Sequence, residues 1–171
     1  MRAGRDERAR VRGAQRGSVS DLEALFREHW PRAFRAAYLV THDAAAAEDI
    51  AQESFLAALR ALDRFDRRRP FGPWLHRIVV NRAIDWARAR RLRGEVELPE
   101  ALPARDPPPA TPGGDVLAAL ARLSPEHRAV IVMRYLLELT PGEIAEALGL
   151  PRGTVNSRLR RGLDALQEAL R

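Results

Sequence analysis

Residues 64–74, from Arg64 through Phe65, Phe71 and Trp74, interleave guanidinium groups with aromatic rings. Guanidinium groups serve a phosphate backbone and ring faces stack unpaired bases, so this composition suits single-stranded nucleic acid. Arg77, Asn81, Arg82, Arg88, Arg90, Arg91 and Arg93 follow as a positive track of the kind that phosphate binding requires. A plainer reading covers part of it, because Trp74 and Trp86 recur near helical period and can be core instead of stacking platforms.

Two further groups of residues could bind, and none looks catalytic. Near the C-terminus, Val155, Leu159, Leu163, Leu166 and Leu170 fall within about 80° of one another on a helical wheel, a stripe that should face a core. The opposite side then presents Thr154, Ser157, Arg160, Arg161 and, at its edge, Asn156, all able to hydrogen-bond base edges or phosphates. An ordinary solvated arginine face is the alternative. On a helix expected over residues 43–62, Asp49, Gln52, Glu53, Leu56 and Arg60 share one side, while Phe55, Leu59 and Leu62 lie on another. A leucine among acids suits a protein-binding patch with an apolar anchor and a charged rim, and a solvated face with one stray leucine reads equally well from spacing alone. The histidines His29, His42, His76 and His127 are scattered and form neither a metal-spaced pair nor a nucleophile-base set. Asp43, Glu48, Asp49 and Glu53 fall on different faces, so no enzyme, metal or cofactor is expected.

The elements that must position these residues are legible from composition. Every one of the 29 basic residues is arginine, and the formal charge of the 171-residue chain is +6. Residues 1–21 carry a net +3, 22–94 +5, 95–114 −3 and 115–171 +1. The acidic block holds Pro99, Pro103, Pro107, Pro108, Pro109, Pro112 and then Gly113 and Gly114, a run that cannot propagate a helix and should be an extended linker. An all-α protein of two small domains is therefore expected: an Arg-rich head over 1–20 without order, a three-helix bundle over 21–94, the linker over 95–114, and a helix-turn-helix domain over 115–171. In the first bundle Asp21 is expected to cap a helix running past Pro31 to Leu39, followed by helices near 43–62 and 71–93. In the second, Ser124 followed by Pro125 opens a helix, and Thr140 with Glu143 forms a capping box before a stop at Gly149. Absence of cysteine fits a reducing compartment, and no apolar run approaches the roughly 20 residues that span a bilayer, so a cytoplasmic protein without membrane insertion is expected.

Four strings carry a resemblance. Residues 47–55, 71–85, 123–128 and 149–158, in that order and at the expected separations, are similar to the extracytoplasmic-function group (group IV) of bacterial sigma factors, and the likeness runs from about residue 21 onward. The resemblance implies a factor that directs core RNA polymerase to promoters. The helix carrying Asp49, Gln52, Glu53, Leu56 and Arg60 would dock on the β′ clamp coiled coil, and the second domain would meet the β flap. The segment with Arg64, Phe65, Phe71, Trp74, Arg77 and Asn81, continued by Arg88, would melt the minus-ten element and capture a flipped base. The final helix would read the minus-thirty-five element, with Asn156, Ser157 and Arg161 on matching positions and Arg152, Thr154 and Arg160 completing the set. An anti-sigma factor is the expected restraint. Departures from the family pattern at Arg67, Arg68, Arg69, Pro70, Gly72 and Pro73, and at Asn156, bear on base preference.

The competing class is a regulator that binds duplex DNA without polymerase, with residues 22–94 as a sensor or dimerisation domain. It requires palindromic sites and a dimer, whereas the sigma reading requires a monomer that binds promoters well only with core polymerase.

Overall fold

A computed structural model describes residues 3–94 and 114–170. The elements are α1 (Ala3–Ala14), α2 (Val19–Thr41), α3 (Ala44–Ala61), a 3-10 turn (Leu62–Arg64), α4 (Phe71–Leu92), α5 (Gly114–Arg122), α6 (Pro125–Ile131), a π turn (Val132–Leu136), α7 (Pro141–Leu148) and α8 (Arg152–Ala169). The described residues form helices and loops only, as the all-α expectation requires, and none of these helices is long and apolar enough to cross a membrane. Residues 95–113, where the linker was expected, lie outside the described residues.

Helices α2, α3 and α4 form the first bundle around Ala33, Ala36, Ala37, Val40, Leu75, Val79, Val80 and Ala83, all fully buried. Four of these eight are alanine, which lets the helix backbones approach closely and places the loops between them firmly. The start of α2 is corrected: Ser18, not Asp21, is its cap, its hydroxyl accepting from the Asp21 amide at 3.3 Å. Asp43 caps α3, accepting from the Ala46 amide at 3.0 Å and meeting Arg90 at 2.8 Å. That amide first, and then Arg90, hold the Asp43 carboxyl below its ordinary range.

The Arg-rich head is also corrected. Ala3–Ala14 is helical and lies across α2, with Val11 only 2% exposed and Ala14 buried. Its two buried apolar residues are too few to register as a period, but they suffice once α2 supplies the opposite wall. Gly13 permits the approach, since a Cβ there would lie 1.8 Å from Asp21 Oδ2.

The second bundle follows the expected punctuation. Ser124 caps α6 with Pro125 next, and the Thr140 hydroxyl accepts from the Glu143 amide at 3.3 Å while Glu143 accepts from the Thr140 amide at 2.8 Å. Gly149 ends α7 at φ 63°, a left-handed conformation that glycine adopts without strain, and so turns the chain into α8. The apolar stripe of α8 faces the core only in part. Val155 and Leu159 are buried and Leu166 packs on the core in part, but Leu163 is 38% exposed and Leu170 is exposed as well. Gly162 marks the closest contact, where a Cβ would come within 2.8 Å of Ile131 Cδ1.

The two bundles touch. Helix α6 lies against α2 and α4, the π turn against α2, and α7 against α4. Arg32 of α2 donates through Nε to the Leu136 carbonyl at 3.1 Å and pairs with Glu138 at 3.3 Å. Arg128 of α6 is half-buried near His42, at the end of α2; burial first, and that arginine next, push His42 down to about 4.

Candidate nucleic-acid interface

The 3-10 turn and the first turn of α4 frame a short loop whose side chains divide into two kinds. Phe65 and Phe71 point inward and meet each other at 5.9 Å between ring centroids, and Trp74 closes the cluster at 4.5 Å from Phe65 and 5.6 Å from Phe71. Both phenylalanines are buried, so neither offers a ring face to a base as placed; their expected stacking role is corrected to one of holding the loop. Trp74 is half-buried. Arg64, Arg67, Arg68 and Arg69 remain exposed on the loop's outside, where the Asp66 carboxylate accepts from the Arg68 amide at 2.9 Å and tightens the turn. Trp86 is likewise partly buried against the core, with the Arg90 guanidinium 5.1 Å from its ring centre.

Across from this loop stands the second bundle. A cleft of about 230 Å³ is lined by Arg69, Pro70, Pro73, Trp74 and Arg77 on one side and by Leu139, Glu143, Glu146 and Ala147 on the other. Arg69 reaches Glu146 at 3.4 Å, the Asn81 side-chain amide donates to the Ala147 carbonyl at 3.2 Å, and Arg88 donates through Nε to Glu126 at 2.8 Å. For Glu126, burial is the largest influence and works to raise the carboxyl, but hydrogen bonds from Arg88, its own backbone and Ser124, with the Arg88 charge, together outweigh it and leave the group below its ordinary range. Arg69 of the loop and Asn81 and Arg88 of the track behind it are therefore already engaged by the second bundle. Their partners Glu126, Glu146 and Ala147 were not singled out from sequence, where nothing marks an acid as the partner of an arginine some 40 to 80 residues away.

The other candidate DNA surface is open. On α8, Arg152, Asn156, Arg160 and Arg161 are exposed and Thr154 and Ser157 are half-buried beside them. Among the described residues, no ion pair engages Arg152, Arg160 or Arg161. The field of this face is felt behind it, where His127 is pushed down by burial first and then by Arg158 and Arg161, against the pull of Glu126. An uncompensated guanidinium face on a helix that follows a tight turn can enter a major groove and donate in pairs to guanine or phosphate.

On α3, Asp49, Gln52, Glu53, Leu56 and Arg60 are all exposed, so the structure brings the expected face together. Leu56 is 52% exposed, and Glu53 is tethered to Arg82 of α4 at 2.8 Å. Leu59, expected on the buried side, is 42% exposed and borders a groove of about 280 Å³ with Val19, Leu22, Phe26, Phe55 and Leu62. Val19 and Phe26 were missed because α2 and α3 expose them jointly, at a seam that neither helix's own period marks. Among the described residues no group of histidine, aspartate or glutamate is placed to hold a metal ion.

Comparison with known proteins agrees with this division. The family model for Sigma-70 region 2 matches residues 25–93, and that for Sigma-70, region 4 matches residues 114–166. The chain is 37% identical over 171 residues to the ECF RNA polymerase sigma factor SigL of Mycobacterium tuberculosis, covering 95% of this chain and 96% of that protein. It is 38% identical to the corresponding factor SigE of Mycolicibacterium smegmatis, over 90% of this chain but 63% of that longer relative. Among solved structures, CnrH, seen in complex with the cytosolic domain of CnrY, superposes with a TM-score of 0.71 at 28% identity, covering 96% of this chain and 97% of that one. The RpoE structure from Bartonella quintana, in complex with the anti-sigma factor NepR, shares the fold at the same TM-score and 23% identity, covering 89% and 98%.

Proposed function

This chain belongs to the ECF RNA polymerase sigma factors, which direct the polymerase to promoters at initiation, and we propose that it does so through three surfaces. Helix α8 reads the duplex minus-thirty-five element with Arg152, Thr154, Asn156, Ser157, Arg160 and Arg161. The loop before α4, with Arg64, Arg77 and the exposed edge of Trp74, takes the single-stranded minus-ten element, and Asn81 and Arg88 join it once released from α6 and α7. The α3 face with Asp49, Gln52, Glu53, Leu56 and Arg60 docks on the β′ clamp coiled coil, while the second bundle meets the β flap.

The observation that carries the reading is the unpaired guanidinium face of α8, on a bundle separate from the aromatic and basic loop. Paired and unpaired bases need different chemistry, and the chain supplies each on its own domain. Two weak contacts joined in one chain bind strongly only when a third body holds them at fixed separation, which is the part polymerase plays. Such a factor works where polymerase works, in the cytoplasm. An anti-sigma factor is the further partner, and the apolar groove at Val19, Phe26 and Leu59 is a surface open to it.

The closed arrangement bears directly on this reading. With Arg69, Asn81 and Arg88 occupied by α6 and α7, part of the minus-ten surface is covered, so the bundles must separate before the whole of it is engaged. Run-off transcription with sigma-free core polymerase on a promoter library is the test: specific starts that depend on this chain are expected, and their absence at every promoter would refute the reading.

A further inference from the structure

The loop that carries the minus-ten surface is pinned at both ends by one element outside the bundle. At its start, the Gln15 side-chain amide of the α1–α2 connection donates to the Leu62 carbonyl at 2.8 Å and the Phe65 carbonyl at 3.2 Å. One NH2 group, with its two donors, thus serves two carbonyls of the 3-10 turn and the residue that closes it. At its end, α4 begins at Pro70 with no side-chain cap of its own. The Phe71 and Gly72 amides donate instead to Glu7 of α1, at 3.3 and 3.4 Å, one to each carboxylate oxygen. A carboxylate from a different helix so performs the task of a cap and complements the positive end of α4.

The brace is itself anchored. Val11 and Ala14 bury its apolar side, Gly13 admits Asp21, and Glu7 lies 3.1 Å from the Nε2 of half-buried His29. The His29 ring in turn lies 5.4 Å from Phe71 and so close to Gly72 that a Cβ there would stand 3.0 Å from its Cε1. Residues 7 and 15 stand about two helical turns apart, so they reach opposite ends of the same loop. The residues between those ends, Asp66 to Pro70, are exposed, and among the described residues they are held by the Asp66 turn, whose carboxylate accepts from the Arg68 amide and whose carbonyl accepts from the Arg69 amide at 3.0 Å, and by the Arg69 contact with Glu146.

We propose that α1 is a brace for the minus-ten loop and that Glu7 and Gln15 are positioning residues for recognition of the single-stranded promoter element. This rests on the assignment of residues 64–77 to that element. Neither residue touches DNA; each fixes where Arg64, Trp74 and the exposed arginines between them are presented.

Two measurements test it, on the free chain and on the holoenzyme. In the free chain, Glu7→Ala with Gln15→Ala is expected to speed amide hydrogen exchange at residues 65–72 by about tenfold, the scale of losing one or two hydrogen bonds, and to leave α3 unchanged. Arg8→Ala, at an exposed position on the same helix, is the control and leaves both unchanged. Glu7→Gln keeps an acceptor for one amide and restores part of the protection. In the holoenzyme, the double variant is expected to bind a fluorescent single-stranded minus-ten oligonucleotide about fivefold more weakly and to discriminate less among single-base variants of it, with affinity for core polymerase retained. Unchanged exchange overturns the brace. Faster exchange with an unaltered base profile overturns the positioning role, as does a matching loss of affinity for core polymerase. Failure of the wild-type holoenzyme to bind the oligonucleotide overturns the minus-ten assignment instead, and the exchange measurement, made without DNA or polymerase, still reports on the brace.

Discussion

Arg161 and His76 show two different ways in which a single side chain matters. Arg161 is exposed and forms no ion pair among the described residues, so its loss should leave the fold alone and remove what it would donate to DNA. Arg161→Ala should weaken minus-thirty-five binding by about 1–3 kcal/mol if the contact is bidentate, measurable by footprinting with holoenzyme. His76 is 5% exposed, and burial first, then His29 and Arg32, push its pKa down to about 3. A histidine depressed in the folded chain stays neutral there while the unfolded chain takes up a proton below about 6.5. Its cost therefore begins as pH falls through 6.5 and grows by about 1 kcal/mol per unit until the folded value is reached. Urea midpoints should accordingly drop between pH 6.5 and 5, and a flat profile would contradict the burial of this ring. His42, pushed to about 4, adds to the same slope.

At the scale of the element, each helix was more legible at its ends than along its faces. Ser124, Thr140 with Glu143, and Gly149 act as expected, because a cap is settled within four residues of sequence, whereas the α2 cap falls on Ser18 and not Asp21. Faces depend on what lies opposite. The α8 stripe is expected to run to Leu170, but in its second half Leu166 packs on the core only in part, and Leu163 and Leu170 stay exposed. On α3 the acidic face was legible in full, and Glu53 adds a tether to Arg82 that spacing could not show. Glu53→Arg places like charges together at that point, and it should lower affinity for core polymerase in a pull-down while duplex binding through α8 holds. Equal loss of both would remove α3 from the docking role.

For the whole molecule, the decisive feature is that one bundle covers part of the other. Ion pairs at exposed positions contribute little each, typically below about 1 kcal/mol, so the closed arrangement rests on a few small contacts together with the burial around α2, α4 and α6. Such an arrangement can be opened by a partner of ordinary affinity. Glu126→Arg, which sets two guanidinium groups face to face at Arg88, should increase the radius of gyration by small-angle scattering and strengthen binding of the minus-ten oligonucleotide to the free chain. An unchanged radius would mean that the apolar contacts alone keep the bundles together.

Sequence by itself determined the two helical domains, the caps of the second bundle, the sigma family and the exposed faces of α3 and of the first turns of α8, since each follows from periodicity, local hydrogen bonding or ordered motifs within a short stretch of chain. Only the tertiary structure decided that Phe65 and Phe71 face inward, that the Arg-rich segment forms helix α1 with Glu7, and Gln15 just beyond it, meeting the two ends of the loop before α4, and that Arg69, Asn81 and Arg88 meet α6 and α7. Those outcomes hang on pairings between residues some 30 to 80 positions apart, and a carboxylate or an amide carries no local mark of the distant group that will satisfy it.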